Sequence, residues 1–413
     1  MTSDRQARPA GAFDDGALAT GGGSHFATLI PEAPDALLAL IGLHAADPRP
    51  GKIDVGVGVY RDAAGATPVF AAVKQAERWL ADTQASKSYL GPEGDARFAA
   101  LLAELLFGAG AAAELIGLQT PGGTGALRLG AELLARAAPG RSIWVGTPTW
   151  ANHAPLLTGA GLVVRSHRFF DAEQSDLDFG AMMADLDAAA AGDIVLLHGC
   201  CHNPTGVSFD LAQWEAIAEL CARRGLLPFV DLAYHGLGAG LDADAAGVRR
   251  LVERVPEAVV AYSCDKNFGL YRDRVGAIWV KTQSGRVDAV RSNLYALARV
   301  NWSMPPDHGA AVVRHILETP ALRAEWIAEL AAMAARIGML RQRLAAGDPR
   351  LEPIGRQQGM FALLPLAQGA VAALRREHGI YMAGNGRINI AGLGEASVDR
   401  FVAACAPHLG QRQ

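Results

Sequence analysis

The sequence predicts an α/β fold: a mostly parallel sheet with helices on both faces, joined to a smaller α+β unit. Three observations carry that prediction. Short runs rich in Val, Ile and Leu recur roughly every 20 to 35 residues from Arg141 onward, as strands buried in a parallel sheet do. Between two of these runs, Leu211, Trp214, Ile217 and Cys221 follow helical spacing. After Pro305-Pro306 the texture changes to long stretches of Ala, Leu, Arg and Glu.

Taken in order, the first 26 residues carry Asp4, Arg5, Arg8, Asp14 and Asp15, then Gly21, Gly22 and Gly23, with no apolar run before a cleavage site. They read as an arm, placed at 1–33. The apolar stretch ALLAELLFGAGAAAELIGL is interrupted by Glu104, Glu114 and glycines, so it does not read as a membrane span. Next comes TPGGTGALRLGAELLARAA, a glycine-rich turn that opens a helix. The strand candidates are RSIWVG, GLVVRSH, DIVLLHG, LLPFVD, AVVAYS and VGAIWV, all expected to be buried. In DLAQWEAIAELCARRG, Asp210 can cap the start of a crossover helix and Gly225 its end. From Gly309 to about Ala346 the pattern predicts long helices, broken briefly at Thr319-Pro320. GMFALLPL, a helix around AVAALRREHG and RINIAGL complete the smaller unit. The large domain is placed at 68–332 and the small one at 34–67 with 333–413.

Composition narrows the partners. Lys+Arg total 38 against 42 Asp+Glu, a net charge of −4, too balanced for a nucleic-acid or anionic-membrane surface. Small acidic metabolites remain open, through local arginines. The five cysteines are odd in number and lack CxxC spacing, which argues against a disulfide framework and suits a reducing cytoplasm.

In such folds ligands bind beyond the carboxyl ends of the strands, so the chemistry is sought there. Gly122, Gly123 and Gly125 form either an anion cradle at a helix end or a plain tight turn; Arg128 spoils the dinucleotide pattern, and the Walker lysine is missing. In HGCCHNPTG, His198, Cys200, Cys201 and His202 could suggest a metal by composition, but the chain turns at once through Asn203-Pro204-Thr205-Gly206 and no other Cys/His cluster adds ligands. The segment reads instead as a polar strand end at a ligand crevice, with no metal. Asp231 and Tyr234 follow the LLPFV run, as site residues or as a cap and a packing ring. Lys266 follows AVVAYS, solvated or, in a crevice, ready to form a Schiff base. Together, an anion cradle, Asp231 with Tyr234, and Lys266 about 35 residues later with Arg274 beyond it are the parts needed to hold pyridoxal phosphate.

At this point the chain resembles the class I aspartate and aromatic amino-acid aminotransferases of fold type I, from about Pro34 to the C-terminus. The resemblance rests on KIDVGVGVYRD, SYLGPEG, TPGGTGALR, PTWANH, LLHGCCHNPTG, DLAYHG, KNFGLYRDRVG, PPDHGA, GMF and GRINIAG. It implies a seven-stranded sheet in the large domain, pyridoxal 5'-phosphate as cofactor, and a homodimer with shared sites. It also implies Lys266 as the Schiff-base lysine, Asp231 as partner of the pyridine nitrogen, Tyr234 and Asn203 on the ring's phenolic oxygen, and Trp150 stacked on the ring. Gly123, Thr124, Ser263 and Arg274 would bind the phosphate, with Tyr89 reaching it from a second subunit. Arg387 would clamp the substrate α-carboxylate, and Arg299 of the second subunit the distal one. Gly58 and Phe361 would line the substrate pocket, with Trp150 and Asn203 contributing, and His153 and His198 would support Asp231.

Four positions depart from the family pattern. Asp265 stands where serine is usual, His235 replaces glutamine, Asn385 replaces serine, and Met304 sits where aspartate-selective members carry asparagine. The first three are expected to leave the cofactor site intact; Asp265 faces away if it continues its strand, or else lies beside the Lys266 nitrogen, where its charge would favour the protonated form. The implied activity is ping-pong transamination of aromatic and acidic amino acids with 2-oxoglutarate, an aspartate-selective enzyme being the alternative. A lyase or decarboxylase on the same fold shares the lysine and aspartate, but paired Arg299 and Arg387 favour transamination. A regulator with an aminotransferase-like domain would need a DNA-binding module that the arm leaves no room for.

Overall fold

Seven strands form the central sheet, in the order Ile116–Pro121, Val275–Lys281, Ala258–Ser263, Leu227–Leu232, Ile194–His198, Ser142–Thr147 and Val163–Arg168. All pairs are parallel except those of Val275–Lys281, which runs antiparallel to both neighbours. The computed structural model behind this description covers residues 24–31 and 36–410. The arm expected at 1–33 therefore lies outside the described residues apart from 24–31.

Strand alternation builds the core on both faces of the sheet. Val195, Leu197, Val230, Val260 and Trp279 join one buried cluster, while Ile194, Leu196, Phe229, Val259 and Ile278 join the other. Helix Gly122–Ala137 covers the second face, and helices Leu211–Arg224 and Leu241–Arg254 cover the first. Each such Val, Ile or Leu stabilises the fold by about 1.5–3 kcal/mol relative to exposure.

Helix Leu211–Arg224 has the expected ends. Asp210 Oδ1 accepts from Gln213 N at 2.7 Å, Gln213 Oε1 accepts from Asp210 N at 2.9 Å, and Gly225 closes the helix at φ 65°. Trp214, Ile217 and Cys221 are buried, whereas Leu211 faces solvent.

Two strands differ from expectation. Val163–Arg168 is an edge strand with most of its side chains exposed rather than buried. The strand Ile116–Pro121 precedes the glycine turn where only a turn and helix were read. Its run is broken by Gln119 and Thr120, both buried; Gln119 is satisfied by Asp95 N at 2.8 Å and Pro306 O at 2.6 Å.

Beyond Pro306 lie helices Asp307–Glu318 and Pro320–Gly347, separated at Thr319 as the sequence suggests. Short strands pair outside the main sheet: Ile53–Asp54 with Ile380–Tyr381, and Phe361–Leu363 with Arg387–Asn389. The second pair brings Phe361 and Arg387 together. Arg341, buried in the long helix, pins the preceding segment by donating to the carbonyls of Ile354, Gln358, Gly359 and Phe361. Among the described residues, no helix is long and apolar enough to cross a membrane.

Candidate active site

The sheet register assembles the site. His198 and Asp231 are register partners at adjacent carboxyl ends, so their side chains emerge on the same face. The antiparallel strand begins where its neighbours end, with Val275 opposite Pro121 and Gly276 opposite Ser263. Arg274, one residue earlier, is thereby delivered to the glycine turn and the end of the Ala258–Ser263 strand.

That turn is built for close approach. Gly122 has φ +71°, and a Cβ there would stand 2.6 Å from Arg274 Nη2; at Gly123 it would stand 2.8 Å from Ser263 Cβ. Helix Gly122–Ala137 starts here, and its first-turn N–H groups have no partner within the helix. A small anion would be met there by backbone N–H groups and the positive helix end.

A cavity of about 280 Å³ opens over these strand ends. Gly58, Gly123, Thr124, Trp150, Asn203, Asp231, Tyr234, Ser263, Lys266, Arg274, Phe361 and Arg387 all line it. So do His198, Asp265 and Tyr271. Tyr271 lies within the matched string KNFGLYRDRVG but was not singled out; its hydroxyl accepts from Tyr60 N at 3.0 Å.

Asp231 is held from behind. His153 Nε2 donates to Asp231 Oδ2 at 3.0 Å, and His153 Nδ1 meets the Thr149 hydroxyl at 2.8 Å. Burial alone would raise this carboxyl. The His153 hydrogen bond, helped by smaller electrostatic contributions from the groups around it, prevails and leaves it below the usual carboxylate range. Burial pushes His198 down to about 3, and its Nε2 has no partner within the described chain. Lys266 is also lowered, chiefly by burial, although Asp265 and Asp231 oppose the shift. Its Nζ lies 5.5 Å from the centroid of the Tyr234 ring, and burial raises the Tyr234 phenol.

Across the cavity, Arg387 Nη2 donates to Gly56 O at 2.8 Å and Nη1 to Asn203 Oδ1 at 3.4 Å, with the guanidinium carbon 4.5 Å from the Phe361 ring centroid. Asn203 Nδ2 points to Tyr234 OH at 3.5 Å. Asn385 Oδ1 accepts from Arg387 N at 3.1 Å and steadies that strand.

Asp265 does not face away. The strand ends at Ser263, and Phe268 N bonding to Cys264 O begins a turn. The Asp265 carboxylate consequently enters the cavity, pairs with Arg274 Nη1 and accepts from Val275 N at 3.2 Å. His235 is buried behind the site between Tyr262 OH and Leu241 O, each at 2.8 Å.

Tyr89 and Arg299 do not line the cavity. Tyr89 is 94% exposed, and Arg299, also exposed, donates to Ser303 Oγ. Met304 Sδ accepts from Leu90 N, the residue after Tyr89, at 3.3 Å.

Among the described residues, two clusters have metal-ligating side chains, His153 with His198 and Asp231, and Cys200 with Cys201 and Asp244. Both carboxylates already have partners. Asp231 accepts from His153, and Asp244 from the backbone N–H groups of Gly236, Gly238 and Ala239 at 2.8–2.9 Å.

The donor set suits a phosphorylated pyridine aldehyde. It offers the half-buried Lys266 amine for the aldehyde, the buried Asp231 carboxylate for a ring nitrogen, the flat face of Trp150 and an anion cradle that a Cβ would fill. The family model described as aminotransferase class I and II matches residues 50–404. Tyrosine aminotransferase from Rhizobium meliloti (strain 1021) is 55% identical over 374 residues, 89% of this chain and 96% of that protein. Aspartate aminotransferase from Escherichia coli (strain K12) is 45% identical over 378 residues, 88% of this chain and 95% of that one. A solved aromatic-amino-acid aminotransferase from Burkholderia pseudomallei, covalently bound to pyridoxal phosphate, superposes with a TM-score of 0.90 at 37% identity. That match covers 94% of this chain and 100% of the solved one.

Proposed function

The chain belongs to the class I and II aminotransferases, and from that premise we propose that it moves the amino group of Phe, Tyr, Trp, Asp and Glu to 2-oxoglutarate by a ping-pong route. The enzyme is a pyridoxal 5'-phosphate-dependent transaminase. The observation that carries the reading is the convergence of Lys266, Asp231 and Arg387 on one cavity.

When bound, the cofactor supplies a carbonyl carbon for the amino group and a ring that draws electrons from the substrate Cα. Lys266 would hold it through Nζ, Asp231 would keep a proton on its ring nitrogen, and Asn203 and Tyr234 would hydrogen-bond its phenolic oxygen. Trp150 would cover the ring, and Gly123, Thr124, Ser263 and Arg274 would take the phosphate. As a free amine, Lys266 is pushed by burial towards its neutral form and would be placed to accept the Cα proton. Arg387 clamps the α-carboxylate, with Gly58 and Phe361 shaping the space around the side chain.

Exposure of Tyr89 and Arg299 away from their own cavity supports a homodimer in which each completes the partner's site. Arg299→Ala and Lys266→Ala proteins, each inactive with aspartate, are expected to recover about a quarter of wild-type activity after subunit exchange, because half the dimers then carry one intact site of two. No recovery after demonstrated exchange would count against shared sites. The division into a large domain at 68–332 and a small one formed by 34–67 and 333–413 remains our reading. It is supported by the strand pair that links those two segments, Ile53–Asp54 with Ile380–Tyr381, and by a second pair formed within the C-terminal one. The buried free cysteines suit the cytoplasm.

Substrate breadth rests on Arg299 and Met304. An aromatic ring in a pocket built for a distal carboxylate would leave the arginine unpaired at a cost of about 3–5 kcal/mol, so the arginine must swing out. Met304, flexible and apolar, can repack against the ring. Comparing kcat/KM for Phe and Asp tests this. Values within about a thousandfold are expected; a larger preference for Asp, above about 4 kcal/mol, would make the enzyme aspartate-selective.

A further inference from the structure

We infer that Asp265 competes with the cofactor phosphate for Arg274, and so loosens this chain's hold on the phosphate end of pyridoxal phosphate. The inference rests on the reading that this cavity holds that cofactor. It starts from the corner where strand and helix ends meet. Arg274 is the cationic side chain against the Gly122 turn, and the Asp265 carboxylate is paired with it. A Cβ on Gly122 would lie 3.3 Å from Asp265 Oδ2, which puts the acid itself in the cradle.

Asp265 is fixed there. Its side chain is only 4% exposed, Oδ1 accepts from Val275 N at 3.2 Å, and its own N–H donates to Ser263 Oγ at 3.2 Å. A phosphate monoester brings about −1.5 to −2 charge at neutral pH. It meets an arginine whose charge is already compensated, and must either break that pair or sit beside a carboxylate. Both routes weaken binding of the phosphate while leaving the ring contacts at Asp231 and Trp150 untouched. Asp265 also faces Lys266, so an effect through the lysine has to be separated from one through the phosphate.

Pyridoxal, which has the ring and aldehyde but no phosphate, makes that separation. Full-length protein stripped of cofactor is titrated with pyridoxal phosphate, pyridoxal and inorganic phosphate as competitor, for wild type, Asp265→Ser and Asp265→Asn. Melting temperature reports that each variant is folded, and the asparagine variant keeps the shape while removing the charge. Both variants are expected to bind pyridoxal phosphate at least about tenfold more tightly, with pyridoxal unchanged and inorganic phosphate a better competitor. Unchanged or weaker pyridoxal phosphate binding overturns the inference. An equal gain for pyridoxal also overturns it, because the acid would then act through Lys266. If wild type binds neither compound and borohydride fixes nothing to Lys266, the cofactor reading fails first.

Discussion

Lys266→Ala is expected to lower kcat by at least about ten-thousandfold, since it removes both the covalent anchor and the base at the substrate Cα. No neighbouring group can replace it. Asp231 and Asp265 are acids without a nucleophilic amine, Arg274 and Arg387 offer only guanidinium donors, and His198, pushed down to about 3 by burial, is a weak base. Borohydride treatment of the wild-type holoenzyme should fix the cofactor to one peptide, the one containing Lys266. The variant should bind cofactor only reversibly, with no label after reduction. A label on another lysine, or turnover within tenfold of wild type, would sink the assignment.

The sequence exposes the site where chemistry follows directly on an apolar run. Asp231 ends LLPFVD, Ser263 ends AVVAYS, and Lys266 follows within the same loop, so a buried-strand reading places them at one edge of a parallel sheet. Other features depend on contacts far along the chain. The strand Ile116–Pro121 is hidden because Gln119 and Thr120 look like loop residues; Gln119 is tolerated in the core only through partners at Asp95 and Pro306. The edge position of Val163–Arg168 follows from strand order, which local pattern does not encode. Strand alternation leaves the side of Asp265 open because it hinges on where the strand ends; it ends at Ser263, and the turn to Phe268 together with the Arg274 pair sets the side chain inward. Arg274 itself reaches the cradle only because the final strand of the sheet runs antiparallel. Tyr89 and Arg299 were legible through the resemblance alone, since nothing in their local pattern marks an exposed side chain as belonging to another copy.

Asp231→Asn is expected to lower kcat on the order of a thousandfold, about 4 kcal/mol of transition-state stabilisation. The substitution keeps the size of the side chain and loses only its charge, so the loss measures what a fixed anion beneath the ring nitrogen contributes. That anion exists because of its surroundings. Burial is the largest influence on Asp231 and acts to raise its carboxyl; the His153 hydrogen bond heads the opposing influences. Since the net shift is downward, the carboxylate stays ionised throughout the neutral range, and activity that depends on it is lost only as pH falls through that lowered value. His153→Phe removes the opposing bond and leaves burial in place. Its acid limb in a plot of kcat/KM against pH should therefore move upward, with a smaller loss at neutral pH than Asp231→Asn shows. A merely structural role for His153 would lower the whole profile without moving that limb. Should Asp231→Asn retain more than about a tenth of wild-type kcat, the charge of Asp231 is not what drives electrons into the ring, and its assignment as partner of the ring nitrogen falls.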